Sequence, residues 1–183
     1  MAISTTTKMA NRLGLNLEFY TYTANGTIAA NTDPVATIDF ANEVSLELST
    51  DLTWATGGRA HSKMVGFRNP YEGTLKISTQ IVNMAILHLV AEGNISASGT
   101  TATFKNDASS MIPKYYIIKG KTLWQDEEGN TYDETITVYK ACVKPNYNVT
   151  YNGEGDPQSL DVEFELGTND DGEVVEIARA DNT

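Results

Sequence analysis

The sequence predicts a mainly β fold: a two-sheet β-sandwich or barrel of about eight strands, flanked by one α-helix and carrying one long loop. Three observations lead there. Apolar and polar residues alternate with a period of two through most of the chain, the signature of strands with one buried and one wet face. Turn signals such as Asn25-Gly26, Asn152-Gly153 and Asp171-Gly172 separate the alternating runs. A single segment, 78–92, has helical periodicity instead.

Taken in order, the first 14 residues are polar and read as a flexible segment ahead of one domain spanning 15–178. Leu15-Asn-Leu17-Glu-Phe19 and Val44-Ser-Leu46-Glu-Leu48 alternate as half-buried strands. The stretch Asp51–Asn69 breaks the alternation and reads as a long loop, with Trp54, Gly57-Gly58, Arg59, His61, Lys63, Met64, Phe67 and Arg68. Long loops in compact domains are functional or disordered. Trp54, Met64 and Phe67 are unfavourable in water, so the loop is expected to pack on something, with another copy of the chain as the candidate.

The helix is expected to start at a Ser78 or Thr79 cap and to close at Gly93. Its apolar members Ile81, Met84, Ile86, Leu87 and Leu89 lie on most sides. A helix apolar nearly all round must be covered on more than one face, by a second layer or by a neighbouring subunit. Pro113–Trp124 and Thr131–Val143 are rich in β-branched and aromatic residues and flank the turn composition Gln125–Asn130, so they should pair as a hairpin. Asp161-Val-Glu163-Phe-Glu165-Leu alternates again, and residues 179–183 read as a flexible end.

Composition narrows the function. Of 183 residues, 24 are acidic and 13 basic, giving a net charge of −11, which opposes adhesion to nucleic-acid phosphates and anionic membranes. The polar start has no apolar signal region, and the longest apolar stretch, Ile81–Val90, is short of the roughly 20 residues of a membrane span. The one cysteine, Cys142, excludes an intrachain disulfide and fits a reducing compartment; its apolar surroundings read it as a small core residue. Synthesis in a cytoplasm is the expectation.

Catalytic constellations are not found. The only histidines are His61 in the glycine-rich loop and His88 on the helix, and no serine sits in a Gly-x-Ser-x-Gly turn. Two histidines and a cysteine, scattered, match no zinc spacing. The acidic turns around Gly129 and Gly172 fail as calcium loops: placing either glycine sixth puts Trp124 or Gly167 first, where an oxygen ligand belongs. Gly153-Glu154-Gly155 lacks the Gly-Lys-Ser/Thr ending of a phosphate loop. Glu43/Glu47 and Asp161/Glu163/Glu165 could serve a glycosidase. Spacings of two and four on strands nevertheless place each set in a row on one face, as a solvated surface does. No enzyme, metal or cofactor is expected. In a ring of copies, such acidic rows could line the inside and repel DNA. A binding module is the rival reading, with Trp54, Trp124, Tyr147 and Tyr151 available for an aromatic platform on a carbohydrate or other ligand.

The strand block Val35–Leu48, the glycine-rich loop, Tyr71-Glu-Gly-Thr-Leu-Lys-Ile-Ser running into the helix, and Asn152-Gly-Glu-Gly-Asp-Pro-Gln-Ser-Leu-Asp-Val-Glu-Phe-Glu-Leu followed by Gly172-Glu-Val-Val-Glu-Ile-Ala together resemble the major tail tube proteins of long-tailed bacteriophages. These are related to the inner tubes of type VI secretion and of bacteriocins. The resemblance spans most of residues 15–178 and rests on order and texture. It implies a tail tube fold with a loop reaching a neighbour, six copies joined in a ring through a continuous inner β-barrel, and rings stacked into a conduit for the genome. It implies a virion location and, as partners, the tape measure, tail terminator and tail tip proteins. Double-stranded DNA would pass without specific binding, and no membrane is involved. Under this resemblance Glu43, Glu47, Asp161, Glu163 and Glu165 are candidates for the lumen. Trp54, Arg59, Met64, Phe67 and Arg68 are candidates for the intersubunit arm. Tail type, host and the choice between the two acidic rows stay open at the level of sequence.

Overall fold

The structure, a computed structural model, describes residues 9–11, 15–23, 26–30, 32–39, 41–57, 62–80, 83–91, 100–101, 103, 112–144 and 159–181; Met9–Asn11, Ser62, Met64 and Asp181 are described by backbone alone. Arg59, His61, Ile81, Gly93, Tyr147, Tyr151 and the turn at Asn152 lie outside these residues.

Eleven strands and one helix are described: β1 (Met9–Asn11), β2 (Asn16–Thr21), β3 (Ala36–Ile38), β4 (Glu43–Ser49), β5 (Leu52–Gly57), β6 (Ser62–Arg68), β7 (Glu72–Thr79), α1 (Met84–Val90), β8 (Tyr115–Asp126), β9 (Thr131–Val143), β10 (Leu160–Leu166) and β11 (Val175–Asp181). Ordered strand thus begins at Met9 and runs to Asp181, past both ends of the 15–178 span. Nine strands form one antiparallel sheet, in the order β3-β2-β8-β9-β10-β7-β4, with β1 beside β8 and β11 beside β9. The fold is a mainly β sandwich with one helix, as the alternation predicts.

The long hairpin β8–β9 is its spine. Asp126 closes the turn: one carboxylate oxygen accepts the backbone N–H groups of Glu128 and Asn130, and the other accepts the Asn130 side-chain amide and the Tyr132 hydroxyl. These bonds, led by that from the Asn130 side chain, hold the Asp126 carboxyl below its ordinary value. Gly129 sits in this turn at φ +89°, a backbone conformation that costs glycine little. Beyond the turn β9 changes partner. Tyr132–Val138 pair with β11, and Ala141–Val143 pair with β10. The β8–β9 register shifts between Tyr116 and Ile118 at this crossing, as a bulge does when it bends a strand.

Bending lets β10, β7 and β4 fold back over β2 and β8. The rings of Phe19 on β2 and Phe164 on β10 stack with centroids 5.6 Å apart, which marks the middle of the core. Leu17, Ile77, Ile118, Val138, Val143, Leu160 and Val162 fill the space around them. On β9 the alternation puts Ala141 and Val143 inside. Cys142 is therefore not a core residue: it is half-buried on the opposite face, across from Glu165 and Tyr115.

The helix is shorter than its periodicity suggests. Ser78 and Thr79 do not cap it, because both pair within the sheet, between β4 or β10 and β7. The cap is Asn83, whose side-chain oxygen accepts the Ile86 N–H at 2.9 Å and whose amide donates to the Thr37 carbonyl of β3. Ile86, Leu89 and Val90 enter the common core, and Met84, Ala85 and Leu87 are half-buried. His88 is 2 % exposed, with Nε2 at 2.8 Å from the Thr101 carbonyl, a hydrogen-bonded core histidine. The second layer that the helix requires is therefore the chain itself. Among the described residues no helix is long and apolar enough to cross a membrane.

Candidate assembly surfaces

The two acidic rows of the sequence come together. Strand β7 lies between β4 and β10, with Ser78 opposite both Glu43 and Asp161, Lys76 opposite Ser45 and Glu163, and Thr74 opposite Glu47 and Glu165. Because the registers match, all five predicted carboxylates project from the outer face of one sheet, while Leu75, Ile77, Val162 and Phe164 project into the core. With one strand between them, Glu43 and Asp161 stand about 10 Å apart. The choice between two rows disappears, since they are the two margins of one surface.

Sequence reading missed three members of this face. Glu72, opposite Ser49, shares the outward parity of Thr74 and Lys76 and adds a sixth carboxylate; the alternation in Glu72-Gly-Thr-Leu-Lys-Ile carries that information. Lys76 stands in the middle strand. Lys144, just past β9, donates to Glu163 at 2.7 Å. This bond is the main reason that the Glu163 carboxyl is held below, and the Lys144 ammonium above, their ordinary values. Six carboxylates against two lysines leave the face negative. The density suits repulsion of other anions and leaves pairs too exposed to add much stability. Among the described residues no three His, Cys, Asp or Glu side chains are grouped to hold a metal ion.

The predicted loop 51–69 is a second surface and not a loop. Its flanks pair as the antiparallel hairpin β5–β6, a sheet of its own joined to no other described strand. Thr53, Trp54, Thr56, Val65 and Phe67 are strand formers. The number of glycines and cations hides that pattern. Thr50 Oγ1 donates to the Asn69 carbonyl, and the Asn69 N–H donates to the Asp51 carbonyl, tying the root.

Register gives the hairpin two faces. Thr53, Ala55, Val65 and Phe67 share one; Leu52, Trp54, Lys63 and Arg68 share the other. The Trp54 ring lies over Gly66, where a Cβ would come within 3.1 Å of it, and Lys63 Nζ sits 5.5 Å from the ring centroid. Leu52, Trp54, Val65 and Phe67 are 55 %, 42 %, 53 % and 59 % exposed. A two-stranded hairpin is marginal alone in water, and clustered large apolar side chains mark contact surfaces. Of the predicted arm residues, Trp54, Phe67 and Arg68 stand here; Arg59 and the Met64 side chain lie outside the described residues. Trp124 is elsewhere, half-buried under the Arg179 guanidinium at 4.4 Å, so the two tryptophans form no shared platform.

No protein-family model matches the chain, and no curated protein matches it. Among solved structures it is similar to a chain of the six-fold symmetrised anti-feeding prophage baseplate (TM-score 0.47, 9 % identity, covering 99 % of this chain and 98 % of that one). It is also similar to an Hcp protein (TM-score 0.36, 10 % identity, 93 % and 99 % covered) and to a type six secretion system protein (TM-score 0.40, 9 % identity, 92 % and 96 % covered). With TM-scores below 0.5 in all three, the functional reading stands on the residues of this chain.

Proposed function

We propose that the chain is a structural subunit of a phage tail tube, which assembles into hexameric rings stacked as a conduit for DNA. The observation that carries the reading is the hairpin β5–β6: its large apolar side chains are exposed on both faces, and self-association would remove them from water. If half of the exposed apolar area of one such side chain were buried, the gain would be on the order of 1 kcal/mol, repeated at every contact of a closed ring. Strand β4 ends its sheet with one edge unpaired by any described strand, and pairing between copies would remove that aggregation-prone edge.

In this reading the face bearing Glu43, Glu47, Glu72, Asp161, Glu163 and Glu165 lines the channel. Its negative charge keeps DNA phosphates from adhering, so that the genome slides without specific binding. The tape measure, tail terminator and tail tip proteins are the expected partners, and the virion is the expected location. No step requires a catalytic group.

Negative-stain electron microscopy of the concentrated protein tests this. Rings or tubes of uniform diameter with a central channel are expected. A monodisperse monomer at every concentration would remove the reading.

A further inference from the structure

Resting on the tube reading above, we infer that the acidic face is also a brake on assembly: both of its margins are negative, so joining two copies sets like charges side by side, and rings close readily only when salt screens them.

Topology places the charges at the joint. A closed ring repeats one heterologous contact, in which one margin of a subunit meets the opposite margin of the next. The margins of this face are β4 and β10, with β7 between them. The outer edge of β4 pairs with no described strand. The edge of β10 away from β7 pairs with β9 only over Phe164–Leu166. Glu43 and Glu47 project from the first margin, Asp161 and Glu163 from the second. Strands joined edge to edge stand about 4.8 Å apart, well inside the roughly 10 Å screening length of 0.1 M salt. Charged side chains on an open edge discourage pairing.

The two lysines of the face do not relieve the joint. Lys76 stands on the middle strand, opposite Ser45 and Glu163. Lys144 stands at the β10 margin, but its ammonium is bonded to Glu163 at 2.7 Å. It therefore offsets one of the three carboxylates on β10. The surface between the margins is hollow, a depression of about 560 Å³ lined by Glu43, Glu47, Lys76, Asp161 and Glu163. A concave wall dominated by one charge sign strengthens the field inside it. Burial of the exposed apolar side chains thus favours association, and the acidic margins oppose it. The balance keeps dilute copies apart at low ionic strength and lets them join as screening rises.

Sedimentation velocity of the full chain at neutral pH tests this. Raising sodium chloride from about 0.1 M to about 1 M shortens the screening length from about 10 Å to about 3 Å. The concentration needed for assembly should fall roughly fivefold. Glu43→Gln with Glu47→Gln should give a similar gain at low salt and remove most of the further response to salt. Lys144→Met should act the other way, raising the concentration needed at low salt and losing its effect at high salt. Glu127→Gln with Glu128→Gln, at the β8–β9 turn, removes equal charge away from the joint and should change little. Assembly that weakens as salt rises, or a salt response that Glu43→Gln with Glu47→Gln leaves intact, would overturn the brake and leave the tube reading standing. An equal gain from the pair at the turn would do the same, by assigning the effect to net charge alone. A parent chain and a neutralised variant that both stay monomeric at every salt concentration would overturn both readings.

Discussion

Helix α1 and the hairpin β5–β6 are the two segments whose apolar side chains raise the question of what covers them, and they answer it in opposite ways. The helix is apolar on most sides, yet its own chain takes in Ile86, His88, Leu89 and Val90 and half-covers the rest. The hairpin has fewer apolar residues, dispersed among glycines and cations, and its own chain leaves Leu52, Trp54, Val65 and Phe67 in water. Apolar content alone therefore does not locate a contact between molecules. Apolar area that the topology leaves outside the core is the better guide, and the hairpin, paired among the described strands only with itself, contributes no residue to the core cluster.

The comparison can be broken most forcefully by removing the hairpin. Asp51 and Asn69 are already joined by a backbone hydrogen bond of 2.9 Å, so a two-residue turn can replace Leu52–Arg68. Assembly should be lost entirely, while the monomer melts within a few degrees of the parent in calorimetry. A collapse of the fold would show that the hairpin belongs to the core after all.

Single truncations sharpen the contrast. Leu89→Ala in the helix empties a site that is 1 % exposed and should cost about 3 kcal/mol in urea unfolding of the monomer. Trp54→Ala should change monomer stability by less than about 0.5 kcal/mol, as surface changes usually do, yet weaken assembly. Equal stability losses for the two would erase the distinction.

A smaller effect is expected at β11, where Arg179 Nε donates to the Glu134 carboxylate and Glu134 is only 4 % exposed. Arg179→Ala strips that carboxylate of its cation and should cost about 2 kcal/mol, with Glu134→Gln in the same background recovering part of it. Smallest of all is the exposed pair Lys144–Glu163 on the acidic face. Because the Glu163 carboxyl is held low, mainly by its bond to Lys144, its contribution is present above the ordinary glutamate range and fades as pH falls through the depressed value. An NMR titration should place the Glu163 midpoint below that of free glutamate, and Lys144→Met should move it back up. An unmoved midpoint would show that the pair does not persist in solution.

Much of the fold was legible because β alternation is a local property: β2, β4, β8, β9 and β10 all announce themselves in consecutive residues. The β8–β9 turn was equally readable, since Asp126 and Gly129 perform within five residues the chemistry that their types suggest. The helix start was misread because Ser78 and Thr79 are plausible caps locally, whereas long-range pairing of β7 on both edges claims them. Cys142 looked apolar by company, but strand parity decides which face it takes. The acidic residues were found one row at a time. That the rows share a face depends on β7 lying between β4 and β10, a fact of topology that spacing within a strand does not contain.

Hydrogen–deuterium exchange at increasing protein concentration bears most directly on the claim that the hairpin, and not the helix, is the element covered by other copies. Amides of β5 and β6 should slow markedly as the chains associate, while those of α1, already covered, should keep the rate they have in the monomer. Slowing confined to the helix, with the hairpin still exchanging freely in the associated protein, would contradict the account.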